Sequence, residues 1–305
     1  MKARLFDAHC DTAFELWRRD EALEENSCHI SLNKAVGFES YAQIFAFCSL
    51  AGLNMKHSRE DLLRYPLEKL RQEVMKHPDR IAFAKNGTEI DRLNGQGRIA
   101  ALLSMEGPEL IGCNPDRLHA LHNEGFVMTT LTWNANNCLA GYHGSDKGLT
   151  DQGKAFVRTA EELGIYLDVS HLSECAFWQL AEMTQRPILA SHSNCRSLCD
   201  HSRNLTDDQL RAISRTGGVV GLNLYVPFLG ENAGFEALQR HLEHMLSLCG
   251  ENSVCLGGDL DGCDVLADGF RDLSEYGTFY GYLKKKGYSE SLLDQIFYKN
   301  LFRLF

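Results

Sequence analysis

The sequence predicts a (β/α)8 barrel of the TIM type, and three observations carry that expectation. Eight short runs, rich in β-formers or continuously apolar, alternate with helical patterns along the chain. The runs are apolar along most of their length rather than at every second position, as befits strands of a parallel sheet covered by helices. The chain of 305 residues is 44% apolar, enough for one large core, and has no Pro/Ser-rich linker, low-complexity tract or internal repeat, so residues 1–305 read as a single domain. A doubly wound open sheet is the alternative architecture. It would spread the carboxyl ends of the strands along a line, whereas a barrel gathers them on one face.

In chain order, the first strand is Arg4–Ala8, which runs into Asp7-Ala8-His9-Cys10-Asp11-Thr12, and the second is Ala42–Cys48. Leu63, Leu67, Leu70 and Val74 follow at helical spacing, with Pro66 expected to kink that helix or start it afresh. Strand Ile99–Ser104 leads to Glu106-Gly107-Pro108, and Phe126–Thr132 comes next. Thr150 or Asp151 can cap a helix that buries Phe156, Val157, Ala160 and Leu163 and stops at Gly164. Ile165–Val169 and Pro187–Ala190 each run into a Ser-His pair, Ser170-His171 and Ser191-His192. Thr206-Asp207-Asp208-Gln209 fits a capping box ahead of Leu210 and Ile213, and Gly218–Leu224 and Val254–Gly258 complete the strands.

The net charge of −10 is spread along the chain, which argues against a nucleic-acid or anionic-membrane surface. No run approaches the roughly 18 apolar residues of a membrane span, and Asp7 and His9 interrupt the amino terminus before a signal-peptide core could form. The chain therefore reads as cytoplasmic. Eleven cysteines without CxxC spacing read as buried reduced thiols. Cys195 and Cys199, between His192 and His201, lack the two closely spaced ligand pairs usual in structural zinc sites. No dinucleotide fingerprint, P-loop or Gly-x-Ser-x-Gly element stands where it would need to be.

The chemistry lies where strands end. His9 and Asp11, two positions apart, can leave one strand on the same face, and Glu106, His171, His192 and Asp259 end later runs. Three imidazoles and two carboxylates suit two divalent ions, with a pair of donors for each and Glu106 shared. A water shared by such ions loses a proton near neutral pH, and Asp259 could pass a proton to a leaving group. Each residue has a second reading. Asp11 could cap the helix after it, Glu106 could begin a turn, and His171 and His192 could be hydrogen-bonded core histidines. Asp259 and Asp261 could belong to a calcium loop, although the other acidic positions of an EF-hand are missing. His119 with His122, and His241 with His244, read as solvated helix faces.

Asp7-x-His9-x-Asp11-Thr12, Ser104-Met105-Glu106-Gly107, Leu167-Asp168-Val169-Ser170-His171, Ser191-His192-Ser193, Arg203-Asn204-Leu205-Thr206-Asp207-Asp208 and Gly257-Gly258-Asp259-Leu260-Asp261-Gly262 occur in that order. This series resembles the membrane dipeptidase (renal dipeptidase) family of the amidohydrolase superfamily, and the closing Asn300-Leu301-Phe302-Arg303 is similar to that family's terminal helix. The resemblance implies a distorted barrel with two zinc ions, for which Mn2+ or Co2+ could substitute. His9 and Asp11 would serve one ion, His171 and His192 the other, and Glu106 both. It further implies a dipeptidase, with Asp259 as proton shuttle and Arg203 gripping the substrate's C-terminal carboxylate. Arg203 could otherwise be a surface cation beside Asp207 and Asp208. The family often accepts a D-residue on the C-terminal side, and it suggests a homodimer. Another amidohydrolase activity, such as N-acyl-amino-acid deacylation, and a non-catalytic peptide-binding barrel are the alternatives.

One segment departs from the family. Where mammalian members carry a substrate-contacting histidine in Leu-Thr-His, this chain has Leu131-Thr132-Trp133-Asn134. Tryptophan offers one N–H donor and no titratable group. Either the metal alone polarises the carbonyl, or Asn134, Asn137 or His143 reaches in, or the preferred substrate differs. Trp133 reads equally well as packing at the barrel mouth.

Overall fold

The structure, a computed structural model, describes residues 3–50, 53 and 56–305. Its sheet has nine strands, β1 (Arg4–Cys10), β2 (Ser40–Cys48), β3 (Ile81–Phe83), β4 (Ile99–Glu106), β5 (Phe126–Thr130), β6 (Tyr166–Asp168), β7 (Leu189–Ala190), β8 (Val219–Leu222) and β9 (Val254–Leu256). They follow the order β2-β1-β9-β8-β7-β6-β5-β4-β3, and β2 also pairs directly with β4 from Ala42↔Ala100 to Cys48↔Glu106. That pairing closes eight strands into a parallel barrel, the eight read from the sequence. The extra strand, β3, pairs only with the start of β4, at Ile81↔Ile99 to Phe83↔Ala101, where β5 has not yet begun. At three residues it is too short to show a burial period in the sequence.

Around the barrel lie α1 (Thr12–Arg19), α2 (Arg59–Lys76), α3 (Gly87–Gly95), α4 (Leu118–Glu124), α5 (Asp151–Leu163), α6 (Glu174–Met183), α7 (Asp207–Arg215), α8 (Phe235–Cys249), α9 (Glu275–Lys285) and α10 (Glu290–Asp294). A π-turn (Gln295–Lys299) and a last helical turn (Asn300–Phe302) prolong α10. The cap signals act as written: Thr150 accepts from the Gly153 N–H, Gly164 ends α5 in a left-handed conformation, and Thr206 and Gln209 form the capping box of α7. Pro66 neither starts nor ends α2, which begins seven residues earlier behind the Ser58 cap.

Two apolar layers hold the barrel. Leu5, Phe45, Leu103, Leu167, Ile188 and Leu222 belong to the larger one, with helix residues such as Leu16, Leu70, Phe156, Phe177 and Leu242. Phe6, Ala8, Ala42, Ile44, Ala100, Leu102, Met128, Leu189, Val219 and Cys255 form the second, together with Tyr298, Leu301 and Leu304 of the C-terminal segment. Asn300 ties that segment down by donating to the Glu251 and Val254 carbonyls at 2.6 and 2.8 Å. Among the described residues no helix is long and apolar enough to cross a membrane.

His119 and His122 are exposed on α4, as expected, but the second helical pair needs correcting. His241 is 1% exposed, and its Nδ1 accepts the Cys195 N–H at 3.1 Å while Nε2 faces the Leu229 carbonyl at 3.3 Å. The polar sequence around it concealed one buried position on an amphipathic helix.

Candidate metal centre

The carboxyl ends of the strands deliver the donors to one place. Pairing between β1 and β2 slips between Asp7↔Gln43 and Cys10↔Phe45, three residues of β1 advancing against two of β2. Such an irregularity re-aims side chains. Asp7 is thereby kept apart from the cluster, with Oδ1 accepting from the His9 N–H and Oδ2 from the Gly258 N–H and the Tyr276 hydroxyl. Asp11 stands at the N-cap position of α1 but makes no side-chain cap bond, and its Oδ1 is buried without a partner. The capping alternative therefore leaves its carboxylate unexplained.

Glu106 is the last residue of β4. The turn after it needs glycine, because Gly107 has φ +98° and a Cβ there would meet Ser49 Oγ at 2.1 Å and Glu109 Oε2 at 2.8 Å. His171 lies three residues beyond β6 at φ 68°, its carbonyl accepting from the Thr132 hydroxyl at 3.1 Å and the His143 N–H at 2.7 Å. Asp259 follows β9 at φ 56°. Non-glycine residues held in this region cost about 1–3 kcal/mol each and concentrate at functional sites.

His9 Nε2 lies 3.5 Å from Glu106 Oε2, 3.8 Å from Asp11 Oδ2 and 3.8 Å from Asp259 Oδ1. The other Glu106 oxygen, Oε1, is 3.0 Å from His171 Nε2 and 3.5 Å from His192 Nε2. Glu106 thus reaches both imidazole groups. Among the described residues, three sets of donor atoms could each hold an ion: His9, Asp11 and Glu106; Glu106, His171 and His192; and His9, His192 and Asp259.

Hydrogen bonds behind these donors fix which nitrogens are free. Ser191 gives its hydroxyl proton to Asp168, whose other oxygen accepts the Ser170 and Ser191 N–H groups at 2.9 Å, so Ser191 Oγ accepts from His192 Nδ1 at 2.7 Å. Asn134 Oδ1 accepts from His171 Nδ1 at 2.8 Å. With both Nδ1 atoms protonated, the two Nε2 lone pairs face each other at 3.0 Å. Lone pairs so placed repel unless a cation lies between them. On the other side His9 Nε2 is buried without a hydrogen-bond partner, with carboxylate oxygens of Glu106, Asp11 and Asp259 at 3.5–3.8 Å around it, a second set of donors with room between them. The residues fit divalent metal on these grounds.

The electrostatics differ between the two sides. Burial works against a charged His9, yet Glu106 and Asp11 hold its pKa well above the ordinary histidine value, and His9 with His171 keeps Glu106 well below the carboxylate range despite its burial. Burial lifts Asp11 to about 6 and Asp259 to about 7. Burial and the nearby Arg203 guanidinium lower His171 to about 4, and burial and His9 lower His192 well below its usual value.

Of the donors, Asp11, Glu106, His171 and Asp259 line a cavity of about 660 Å³ whose wall also holds Phe14, Leu50, Trp133, Tyr142, Tyr225 and Phe228. Arg203 is 5% exposed and lines this cavity, and among the described residues it makes no ion pair. It is therefore not a surface cation beside Asp207 and Asp208. Trp133 lines the wall with its ring centroid 6.2 Å from that of His171. Asn134 also lines the cavity, but its Oδ1 is held by His171 and, at 3.2 Å, by His143 Nε2. Both Asp261 oxygens are occupied, Oδ1 by the His29 N–H and Oδ2 by the Thr12 hydroxyl, which removes the calcium-loop alternative. Sequence reasoning assigned no role to Asp168, Ser191 or His201. The serine repeated before each histidine is the one signal, and it points to Ser191 alone.

Comparison with known proteins agrees with this geometry. The sequence matches the family described as membrane dipeptidase (peptidase family M19) over residues 1–305. An uncharacterised Klebsiella pneumoniae protein from the pqqA 5′ region is 31% identical over 80% of this chain and 95% of its own length. The dipeptidase VerJ of Clonostachys rogersoniana is 28% identical over 76% of this chain, the match spanning only 61% of that protein. A Rhodobacter sphaeroides metallopeptidase, solved with a phosphinate mimic of the dipeptide L-Ala-D-Ala, superposes over 100% of this chain and 99% of its own with a TM-score of 0.92 and 25% identity. The dipeptidase AC, also of family M19, gives a TM-score of 0.91 at 27% identity over 100% of this chain and 98% of its own. The chain belongs to the membrane dipeptidase family, peptidase family M19, and so to the metallo-dipeptidases.

Proposed function

We propose that this chain hydrolyses dipeptides with a free C-terminal carboxylate, using two divalent ions held by His9, Asp11, Glu106, His171 and His192. The observation that carries this reading is the pairing, within one cavity, of the metal donors with Arg203. The other charged side chains lining it are the carboxylates Asp11, Glu15, Glu106, Asp259 and Asp261. A wall with one guanidinium and several carboxylates suits a zwitterion, whose carboxylate meets Arg203 and whose ammonium meets the acidic side. An N-acylated amino acid lacks that ammonium. Zinc suits the imidazole and carboxylate donors, with Mn2+ or Co2+ as substitutes.

Divalent ions bound there supply Lewis acidity toward the peptide carbonyl and acidify a water to near neutrality. The chain's own residues do the rest. Arg203, buried over Phe228 with Cζ 5.4 Å from the ring centroid, fixes the carboxyl end of the substrate. Asp259, with a carboxyl pKa near 7, can hold a proton and yield it to the departing amine. Asp168, Ser191 and Asn134 keep the imidazoles in the required tautomer. Trp133 and Tyr142 form part of the wall around the site. Because the Rhodobacter enzyme was solved with an L-Ala-D-Ala mimic, acceptance of a D-residue at the C-terminal position is part of the reading.

The test is hydrolysis of L-Ala-L-Ala, L-Ala-D-Ala and an N-acetylated amino acid by zinc- or manganese-loaded protein. Dipeptide turnover without deacylation is the expected result. Deacylation alone would replace the assignment with an N-acyl-amino-acid deacylase. Loss of turnover in Arg203→Met, with metal content unchanged, would tie the guanidinium to the substrate.

A further inference from the structure

His201 belongs to none of the roles assigned above, yet it lines the same cavity as Arg203. Its Nδ1 accepts the backbone N–H of Arg203 at 3.1 Å. A backbone N–H can only donate, so Nδ1 is the unprotonated nitrogen and the neutral ring carries its proton on Nε2. No protein group bonds that Nε2 among the described residues, and it is not sealed away in the interior. The His201 ring packs on Phe228 at 4.7 Å between centroids, the same ring beneath the Arg203 guanidinium. One aromatic platform therefore holds both donors. Burial and Arg203 lower the pKa of His201, which keeps the ring neutral.

The neighbouring imidazole does not compete for this place. His143, 6.4 Å from His201 between ring centroids, has Nδ1 on Ser202 Oγ at 2.7 Å and Nε2 on Asn134 Oδ1 at 3.2 Å. Asn134 Oδ1 is shared with His171. That leaves His201 Nε2–H as an unengaged donor beside the cavity's one guanidinium.

We propose that His201 is a second, uncharged donor to the substrate's C-terminal carboxylate, Nε2–H taking one oxygen while Arg203 takes the other. The inference rests on the reading that the Arg203 end of the cavity receives that carboxylate. A neutral donor with a locked tautomer adds direction to the guanidinium's charge. It also ties recognition to the 201–203 segment, since the backbone N–H of Arg203 sets the histidine ring.

Two amide variants separate binding from scaffolding. His201→Gln places an amide N–H near the Nε2 position, whereas His201→Asn places an amide oxygen near Nδ1 and so keeps the bond to the Arg203 N–H while losing the donor. Kinetics would be measured on metal-loaded enzyme with L-Ala-L-Ala and with its C-terminal amide, the amide being run as a competitor where it is not turned over. His201→Asn should raise KM for the free acid about tenfold, the worth of one hydrogen bond to a charged group, with kcat changed less than twofold. His201→Gln should stay within about threefold of the parent, and the loss in His201→Asn should be smaller for the amide, whose single acceptor oxygen can turn to Arg203. A loss in His201→Gln equal to or greater than that in His201→Asn, no loss in either, or equal loss for acid and amide would overturn the role. Arg203→Met serves as the reference. If it weakens acid and amide alike, the placing of the carboxylate fails and the His201 role with it. If Arg203→Met discriminates and His201→Asn does not, the His201 role alone fails.

Discussion

His192 and His241 are each 1% exposed, and each has a ring nitrogen within reach of the backbone or a serine, yet their other ring nitrogens are met differently. His241 has both nitrogens satisfied, Nδ1 by the Cys195 N–H and Nε2 by the Leu229 carbonyl. His192 has Nδ1 satisfied by Ser191, but its Nε2 points at the bare Nε2 of His171. Burial does not distinguish a ligand from a structural histidine. An unanswered nitrogen does, because an unmet polar group in the interior costs about 1–3 kcal/mol and persists where another partner is to arrive.

The harshest way to break this comparison is to remove the carboxylate that both sides of the centre share. Glu106→Gln should abolish binding of the ions and lower dipeptide turnover by on the order of 1000-fold, with elemental analysis reading the first effect and steady-state kinetics the second. Retention of two ions per chain in that variant would show that Glu106 is not the carboxylate the two ions share.

Asp259 comes next. Its carboxyl lies 3.8 Å from His9 Nε2, near enough to count among the donors, but its raised pKa suits proton transfer. Asp259→Asn should cut kcat by about 100-fold to 10,000-fold while the metal content holds, which would mark a general acid–base rather than a ligand. Loss of one ion together with the activity would assign it to the first coordination sphere.

A smaller effect is expected from the residues that aim the imidazoles. Asn134→Ala removes the acceptor of His171 Nδ1 and frees that ring to turn. Metal affinity should fall about 10-fold to 100-fold, measured by competition with a chelator, with full activity recovered at saturating metal. A variant at His241 should leave metal affinity untouched in the same titration.

The fold was legible because the strands of a closed parallel barrel are buried on both faces, so Ala42–Cys48 and Ile99–Ser104 stand out as runs apolar along most of their length. The gathering of these side chains was legible for a related reason: His9, Glu106, His171 and His192 each follow such a run, and a barrel brings strand ends to one face. The site's walls were not. Leu50, Tyr142, His201, Tyr225 and Phe228 sit on loops with no periodic pattern, and only the folded chain brings them around the cavity. The roles of Asp168 and Asn134 were hidden because the hydrogen bonds that orient an imidazole, made directly by Asn134 and through Ser191 by Asp168, leave no trace in spacing. His241 misled for the opposite reason, since a polar stretch of α8 still turns one of its histidines inward.

That histidine supplies the gentlest test. Burial lowers its folded-state pKa from 6.5 to about 4, and protonating Nδ1 would set two donors, the ring N–H and the Cys195 N–H, against each other. The unfolded chain takes up this proton at about 6.5, so the unfolded state binds more protons and stability falls as pH drops from there toward 4. At pH 5.5 the folded ring is still neutral, and His241 should cost about 1.4 kcal/mol relative to pH 8. His241→Asn keeps an acceptor for the Cys195 N–H and removes the titration. Urea unfolding of metal-loaded protein at the two pH values should show the variant less stable than the parent at pH 8 but with a pH dependence smaller by that amount. Equal pH dependence in the two proteins would mean that His241 takes up its proton in the folded state as readily as in the unfolded chain, and that its two backbone bonds do not hold it neutral.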